Sequence, residues 1–439
     1  MHHKFYLGHV IDCLKAIKSD TVQTVVTSPP YFGLRDYGLP PTEWPEITYS
    51  PMAGVPSITI PSMVCCHGLE PDPLSFISHE VYIFREIRQV LRRDGTIWVN
   101  FGDSYSGSSN SGGTGKRSGG GKPYRNEGLQ PKQGDNLKPK DLMGIPWRVA
   151  FALQADGWYL RSDIIWSKPN PMPSSVNDRP GTAHEYLFLL TKSPKYYYDN
   201  EAIKEEAVNG DPNPPRGSEG AFGQEQKGRR KPDLRIGRVG AYQNRAMYGE
   251  GDGTTPTGEA LRDLSKRNKR TVWEIPTEPC PEAHFATFPT KLVEPCILAG
   301  SSPKACPKCR APWKRVLEPS KDYAKLLGKG YHDHSGDLNQ GMSQQKKMPR
   351  TFADYNTVDW EPACKCEGND GTGKCIILDP FGGSGTTTLV SQWLGRDSIY
   401  IDLNPNYLQI ALKRNSFTGL LHADTWEIID LIKEQEAIS

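Results

Sequence analysis

Apolar positions along this chain follow two alternating rhythms, which outline an α/β protein. Short runs with few polar breaks read as buried strands: Gln23-Thr24-Val25-Val26, Thr96 to Phe101, Tyr159 to Trp166, Leu187 to Leu190, Ile376-Ile377-Leu378 and Ser398 to Ile401. Between them the spacing turns helical. From Glu80 to Arg93, residues Ile83, Phe84, Ile87, Val90 and Leu91 share a face, and Asp94-Gly95 ends the helix. Leu142 to Asp156 turns Val149, Ala150, Ala152 and Leu153 inward before Gly157. Val293 to Ala299 and Leu408 to Arg414 are further helices, and the last twenty residues read as another short one. Phe5 to Leu14 reads as a strand passing into a helix, with Asp12 placed as an N-cap would be.

Four stretches break the rhythm. Leu39 to Pro73 is proline-rich and reads as a surface excursion, in which the adjacent Cys65-Cys66-His67 read as structural, because neighbouring cysteines make poor joint ligands. Ser104 to Lys140 is rich in glycine, serine and cations, too polar to bury a core. It reads as a mobile basic loop (104–140) that orders on nucleic acid. Tyr196 to Arg270 is low in aliphatic residues; between Gln226 and Met247 it sets Lys227, Arg229, Arg230, Lys231, Arg235, Arg238 and Arg245 against Asp233. Ser301 to Gly373 opens with Cys306-Pro307-Lys308-Cys309 and closes with Cys364-Lys365-Cys366. Two close cysteine pairs with a variable spacer match a four-thiolate zinc ribbon, a closed and therefore structural site.

The totals set limits. A chain of 439 residues forms one large domain with insertions, or two to three domains. Hydrophobic content of 36% and mean hydropathy of −0.59 fit a soluble protein with polar insertions. No apolar run approaches membrane-spanning length and no signal peptide is apparent, so no membrane partner and a cytoplasmic location are expected. Ten cysteines in a chain this long suggest metal in a reducing compartment rather than a disulfide scaffold. The net charge of +2 is uninformative; the local cationic segments point to a polyanion.

Two loops carry candidate chemistry. Thr27-Ser28-Pro29-Pro30-Tyr31 follows the strand at Gln23 to Val26, and the prolines force the backbone out of the sheet. Open α/β sheets bind ligands at the carboxyl ends of their strands. A stiff loop there suits an amino group on a flat base. Ser28 Oγ and the Pro29 carbonyl accept its hydrogens and free the nitrogen lone pair, while Tyr31 stacks on a base swung out of its helix. A plain proline turn with a surface tyrosine would use the same letters. The second loop, Asp379-Pro380-Phe381-Gly382-Gly383-Ser384-Gly385-Thr386-Thr387, joins a buried strand to a helix through glycines that admit a ligand to the backbone. It lacks the lysine of a phosphate loop and the spacing of a dinucleotide fingerprint. Asp402, at the end of the next strand, is placed to bind ribose hydroxyls.

Thr-Ser-Pro-Pro-Tyr near the start, Asp-Pro-Phe-Gly-Gly-Ser-Gly-Thr-Thr near the end and a late Asp402 together resemble the amino-methylating DNA methyltransferases. The order, catalytic loop first and donor loop last, is similar to their circularly permuted β group. The resemblance implies a Rossmann-like S-adenosylmethionine-dependent methyltransferase fold: a mostly parallel seven-stranded sheet with one reversed strand at an edge, plus insertions. By the same resemblance residues 1–195 form the catalytic half, 196–270 the target recognition region, 271–300 and 374–439 the donor-binding half, and 301–373 the zinc-ribbon insertion. Catalysis falls to Ser28, Pro29, Pro30 and Tyr31. Donor binding falls to Asp12, Phe288, Pro289, Lys291, Asp379, Pro380, Phe381, Gly383, Ser384, Gly385, Thr386, Thr387 and Asp402. Asp103 and the Lys168-Pro169-Asn170 loop belong near the base pocket. Structural zinc on Cys306, Cys309, Cys364 and Cys366 completes the set. The expected partners are double-stranded DNA and a restriction endonuclease. Members with Ser at position 28 usually methylate cytosine N4 and those with Asp adenine N6, so cytosine N4 is expected and adenine N6 is the alternative. An RNA substrate, or an inactive zinc-ribbon nucleic-acid-binding protein, are the other readings. Carbon-5 methylation needs an attacking thiolate, for which Pro279-Cys280 and Pro295-Cys296 are the candidates; the Pro-Pro-Tyr loop argues for direct transfer to nitrogen, and both cysteines are discounted as nucleophiles.

Overall fold

The computed structural model describes residues 2–34, 36–106, 137–171, 173, 176–206, 266–279, 288–320, 355–416 and 426–433. The backbone divides into two compact units, one of Met1–Ile203, Lys269–Val316 and Thr357–Ser439, the other of Lys204–Asn268 and Leu317–Asn356. In the second, Glu205–Glu206 pairs antiparallel with Lys266–Arg267, and Arg267 Nε donates to Glu205 Oε1 at 2.9 Å. Most of the basic loop (107–136) and of the expected recognition region (207–265) lies outside the described residues.

The first unit is built on one nine-stranded sheet. In chain order its strands are β1 (His3–Leu7), β2 (Val22–Thr27), β3 (Leu91–Phe101), β4 (Tyr159–Ser167), β5 (His184–Thr191), β6 (Val272–Glu274), β7 (Ile376–Asp379), β8 (Asp397–Asp402) and β9 (Trp426–Asp430). Across the sheet the order is β6-β4-β5-β3-β2-β7-β8-β1-β9. β5 is antiparallel to both neighbours, β3 and β4, and every other pairing in the sheet is parallel.

Helices α1 (Val10–Ala16), α2 (Pro73–Val90), α3 (Ile145–Ala155), α4 (Thr290–Gly300), α5 (Thr386–Trp393) and α6 (Pro405–Ser416) make the connections. Strand alternation decides which helices meet which face. Val25, Ile97, Phe188 and Leu378 form one core with Leu14, Phe84, Ile87 and Val149 of α1, α2 and α3. Val26, Trp98, Leu189 and Ile377 form another with Leu292, Val293 and Ile297 of α4 and Val390 of α5. The result is a three-layer α/β/α sandwich. No helix among the described residues is long and apolar enough to cross a membrane.

Several details depart from the sequence reading. The sheet has nine strands rather than seven, and the reversed strand is interior, two places from the β6 edge. The additions are β6 and β9, edge strands of three and five residues, too short to give a clear period-2 signal. The chain end forms β9 rather than a helix alone: Trp426 to Asp430 pairs in register with His3 to Leu7. The excursion at 39–73 is only partly superficial. It forms two antiparallel ribbons, Thr42–Trp44 with Met63–Cys65 and Ile47–Tyr49 with Ile58–Ile60, whose Trp44, Ile47 and Tyr49 are buried. Helix α2 begins seven residues earlier than its apolar spacing indicates, because Pro73 occupies the first turn and the Asp72 carboxylate accepts from Ser75 N.

Candidate active site

All parallel strands end at one edge of the sheet, and the reversed β5 begins there. Thr27, Phe101, Ser167, Asp379 and Asp402 therefore close their strands at the edge where Glu185 stands as the second residue of β5. Ser28 to Tyr31 leave the sheet directly after Thr27. The Tyr31 ring lies against the backbone of Gly102, where an added Cβ would stand 2.6 Å from Tyr31 Cε2, so only glycine permits this approach. Three side chains converge at the ring's hydroxyl. Ser28 Oγ donates to Tyr31 Oη at 3.2 Å, and Tyr31 Oη donates to Glu185 Oε2 at 2.7 Å. Asn100 Nδ2 donates to Tyr31 Oη at 2.6 Å and to Glu185 Oε2 at 2.7 Å. Lys168 Nζ donates to Glu185 Oε1 and stands 4.3 Å from the centroid of the Trp166 ring.

The glycine-rich loop sits across from this network. Gly385, at φ +76°, caps α5 in the left-handed region, and a Cβ there would meet Asn415 Nδ2 at 2.7 Å. Asp379 is enclosed beneath the loop. Its carboxylate accepts from Thr27 Oγ1 (2.8 Å), Thr387 Oγ1 (2.7 Å) and Phe381 N (3.1 Å). Burial outweighs these donors and pushes its carboxyl up to about 6. Asp379 thus locks the Ser28 loop to the glycine loop. At the end of β8, Asp402 accepts from Gly383 N and Asn404 N, each at 2.8 Å, and burial raises its carboxyl to about 6 as well. Arg414 of α6 donates to Ser384 Oγ (3.0 Å) and Thr386 Oγ1 (2.7 Å), fixing the loop's hydroxyls.

The two loops border one cavity of about 800 Å³. Of the residues expected from sequence, Ser28, Pro29, Pro30, Tyr31, Phe288, Pro380, Phe381, Gly383, Ser384, Thr386 and Asp402 line it. Asp12, Pro289, Lys291, Asp379, Gly385 and Thr387 are not among the lining residues. Pro289 is the N-cap of α4, Lys291 is exposed, and Asp379 and Thr387 are bonded to each other below the surface. Asp103 does not line the cavity either; its carboxylate accepts from Ser104 N and Ile145 N and so caps α3. Lys168 and Asn170 do line it. Glu185 and Asn100 also line it and went unassigned from sequence. Glu185 precedes the run read as strand, Leu187 to Leu190, in the hairpin that follows the Lys168-Pro169-Asn170 loop, and received no role there; nothing in the alternation around Asn100 distinguishes it from an inward-facing strand residue.

Two clusters of metal-ligand side chains lie outside the cavity lining. The ligand atoms of Cys306, Cys309, Cys364 and Cys366 lie within 4.8 Å of one another. Cys306 to Arg310 forms a tight turn closed by Arg310 N on Cys306 O (2.9 Å), and Asn369 Nδ2 donates to Cys364 Sγ at 3.3 Å. Four sulfurs gathered this way fit a tetrahedral zinc ion. The second group, Cys65, Glu70 and His79, is equally close. Here protein donors already occupy the carboxylate: His67 Nδ1 and His79 Nδ1 contact Glu70 Oε1 (3.1 and 2.9 Å), and Gly68 N donates to Oε2 (2.9 Å). Cys296 is buried in α4, its thiol pushed well up by burial, which suits a core residue rather than a nucleophile.

A cavity at the strand ends, bordered by a Ser-Pro-Pro-Tyr loop and by a glycine-rich loop with a facing carboxylate, defines an α/β group-transfer enzyme. The family model described as DNA methylase, of the N6/N4 methyltransferases, matches residues 22–306 and 373–413. Over 93% of its length the chain is 35% identical to the Type II methyltransferase M.Cfr9I of Citrobacter freundii, of which it covers 85%. It is 33% identical to the Type II methyltransferase M.SmaI of Serratia marcescens, covering 94% of this chain and 90% of that one. The chain belongs to the N6/N4 DNA methylase family.

Proposed function

We propose that the protein transfers the methyl group of S-adenosylmethionine to the exocyclic N4 amino group of cytosine within a specific duplex DNA sequence, on a base turned out of the helix. The observation that carries this reading is the single cavity bordered by Ser28, the Pro29-Pro30-Tyr31 turn, the glycine-rich loop and Asp402. The hydroxyl hydrogen of Ser28 is directed at Tyr31, which leaves its lone pairs for an amino hydrogen. The Pro29 carbonyl is the second acceptor, and the Tyr31 ring, backed by Gly102, is the stacking face. At the other end Asp402 receives ribose hydroxyls, with Phe381, Gly383, Ser384 and Phe288 as walls. The donor supplies an electrophilic methyl group on a sulfonium. The protein's part is to hold the nitrogen lone pair in line and exclude water. Segments 104–140 and 196–270 supply the cations for phosphates and base edges. Cys306, Cys309, Cys364 and Cys366 hold a structural zinc ion. A restriction endonuclease of the same recognition sequence is the proposed partner.

The test is nucleoside mass spectrometry after incubation of unmodified duplex DNA with labelled S-adenosylmethionine. N4-methylcytosine is the expected product. N6-methyladenine would reject Ser28 as the determinant of the base, and 5-methylcytosine would reject direct transfer to nitrogen.

A further inference from the structure

Methylating an amino nitrogen leaves a surplus proton at the site, and Ser28 cannot keep it, because a protonated hydroxyl is a very strong acid. The hydrogen bonds of this site lead from Ser28 to a carboxylate. Ser28 Oγ donates to Tyr31 Oη at 3.2 Å, and Tyr31 Oη donates to Glu185 Oε2 at 2.7 Å. The direction of the chain is fixed by Asn100, whose Nδ2 donates to both Tyr31 Oη and Glu185 Oε2, leaving the tyrosine hydrogen to point at the carboxylate. The other carboxylates nearby accept hydrogen bonds elsewhere: Asp379 from Thr27, Thr387 and Phe381 N, Asp402 from Gly383 N and Asn404 N, Glu278 from Thr290 N and Oγ1, Asp36 from Gly38 N, and Asp103 from the start of α3. Glu185 lines the cavity and its side chain is 17% exposed, so it can return a proton to water.

We propose that Glu185 is the acceptor of the proton released during methyl transfer, received through Ser28 and Tyr31. The inference rests on the amino-methylating reading of the Ser28 loop. As the nitrogen lone pair forms the N–CH3 bond and the S–CH3 bond breaks, the sulfur leaves as a neutral thioether. The N–H bond gives its electrons to nitrogen and its proton to Ser28 Oγ, the Ser28 proton moves to Tyr31 Oη, and the Tyr31 proton moves to Glu185. The carboxylate becomes a neutral acid, and the charge of the site is unchanged. Lys168 on the other oxygen is a positioning residue that keeps Glu185 facing Tyr31.

The test uses the full-length protein, duplex DNA carrying its site and labelled S-adenosylmethionine in single-turnover mixing. Glu185→Gln keeps the shape of the side chain and one acceptor oxygen but takes no proton, and Tyr31→Phe keeps the ring and breaks the relay. Each is expected to slow methyl transfer ~10²–10⁴-fold, the usual range for a proton-transfer group. The double variant is expected to be no slower than the slower single, because both remove one function. Donor affinity and the fluorescence of 2-aminopurine at the target position, which reports base extrusion, should stay at wild-type values in Glu185→Gln. The solvent deuterium isotope effect on wild-type transfer should be lost in it. A Glu185→Gln rate equal to wild type, an unchanged isotope effect, or multiplicative effects in the double variant would overturn the relay. Ser28→Ala separates the two levels of inference. If it slows transfer while Glu185→Gln does not, the relay alone fails. If Ser28→Ala matches wild type, the reading of the loop fails with it.

Discussion

Asp379→Asn tests how the two loops of the site are joined. Asp379 is fully buried, accepts from two threonine hydroxyls and one amide, and does not line the cavity. Its carboxyl stands at about 6 rather than 3.8, with burial as the leading cause. A carboxyl raised on folding binds its proton more tightly in the native state, so the native state holds more protons between those two values and stability falls as pH rises through them. A tenfold change in proton affinity is ~1.36 kcal/mol, so the fold loses about 3 kcal/mol between about pH 4 and 6.5 through this group. Asparagine is nearly isosteric and does not titrate. Its oxygen can keep Thr27 and Phe381 N, its amide can donate to Thr387 Oγ1, and the Thr387 hydrogen can turn to the Val26 carbonyl, already at 3.2 Å. Urea unfolding of both proteins at pH 4.5, 5.5, 6.5 and 7.5 gives the difference in stability, from which other titrations largely cancel. The variant should gain on wild type by about 2–3 kcal/mol across this range. Its affinity for the methyl donor, measured by calorimetry, should stay within a few-fold. A pH-independent difference, or one that moves against the variant as pH rises, would refute the burial argument. A hundredfold loss of donor affinity would instead make Asp379 a ligand.

Other substitutions address single contacts. Gly102→Ala puts a methyl group 2.6 Å from Tyr31 Cε2; single-turnover methylation should fall more than ~10-fold with little change in melting temperature. Asp402→Ala removes a carboxylate that lines the cavity at the end of β8; on the proposed donor role, a lost charge-assisted hydrogen bond of ~1.5–3 kcal/mol should weaken donor binding ~10–100-fold by calorimetry. Metal released by a thiol reagent and counted with a chromogenic chelator should amount to one zinc per chain, and to none in a Cys306→Ser, Cys364→Ser double variant. A second ion would mean that Cys65, Glu70 and His79 bind metal despite the donors already on Glu70.

What could be read in the sequence was whatever depends on local pattern. Apolar runs and glycine or proline punctuation locate β2, β3, β4, β5, β7 and β8 and the loops that follow β2 and β7, because strand ends and tight turns are encoded by neighbours in the chain. What could not be read depends on distant approach. Gly102 looks like an ordinary turn glycine until the Tyr31 ring is seen to lie on it. Asp379 reads as a ligand because it opens the glycine loop; that its partners are Thr27, 352 residues away, and Thr387 is a property of the packed sheet. Trp44 and Tyr49 sit in a proline-rich stretch whose composition suggests surface, yet both rings are buried beside α2. β6 and β9 carry too few residues to announce themselves and owe their conformation to the edges they pair with.

The reversed strand shows most directly how topology makes the site. Parallel strands bring only their carboxyl ends to the ligand edge, so they offer Thr27, Asp379 and Asp402, residues that lead into loops. β5 brings its beginning. Register sets Glu185 opposite Trp166 and Leu187 opposite Asn100, which carries the Glu185 carboxylate to the Tyr31 hydroxyl. Were β5 parallel to its neighbours, Thr191 would stand at this edge and Glu185 about 20 Å away, at ~3.3 Å per residue over the intervening positions. No local change could then restore the contact. The reversal is therefore a condition for a carboxylate to meet the Ser28 loop from a rigid strand rather than from a loop, and an acid held on a strand keeps its distance from Tyr31 when ligands enter and leave.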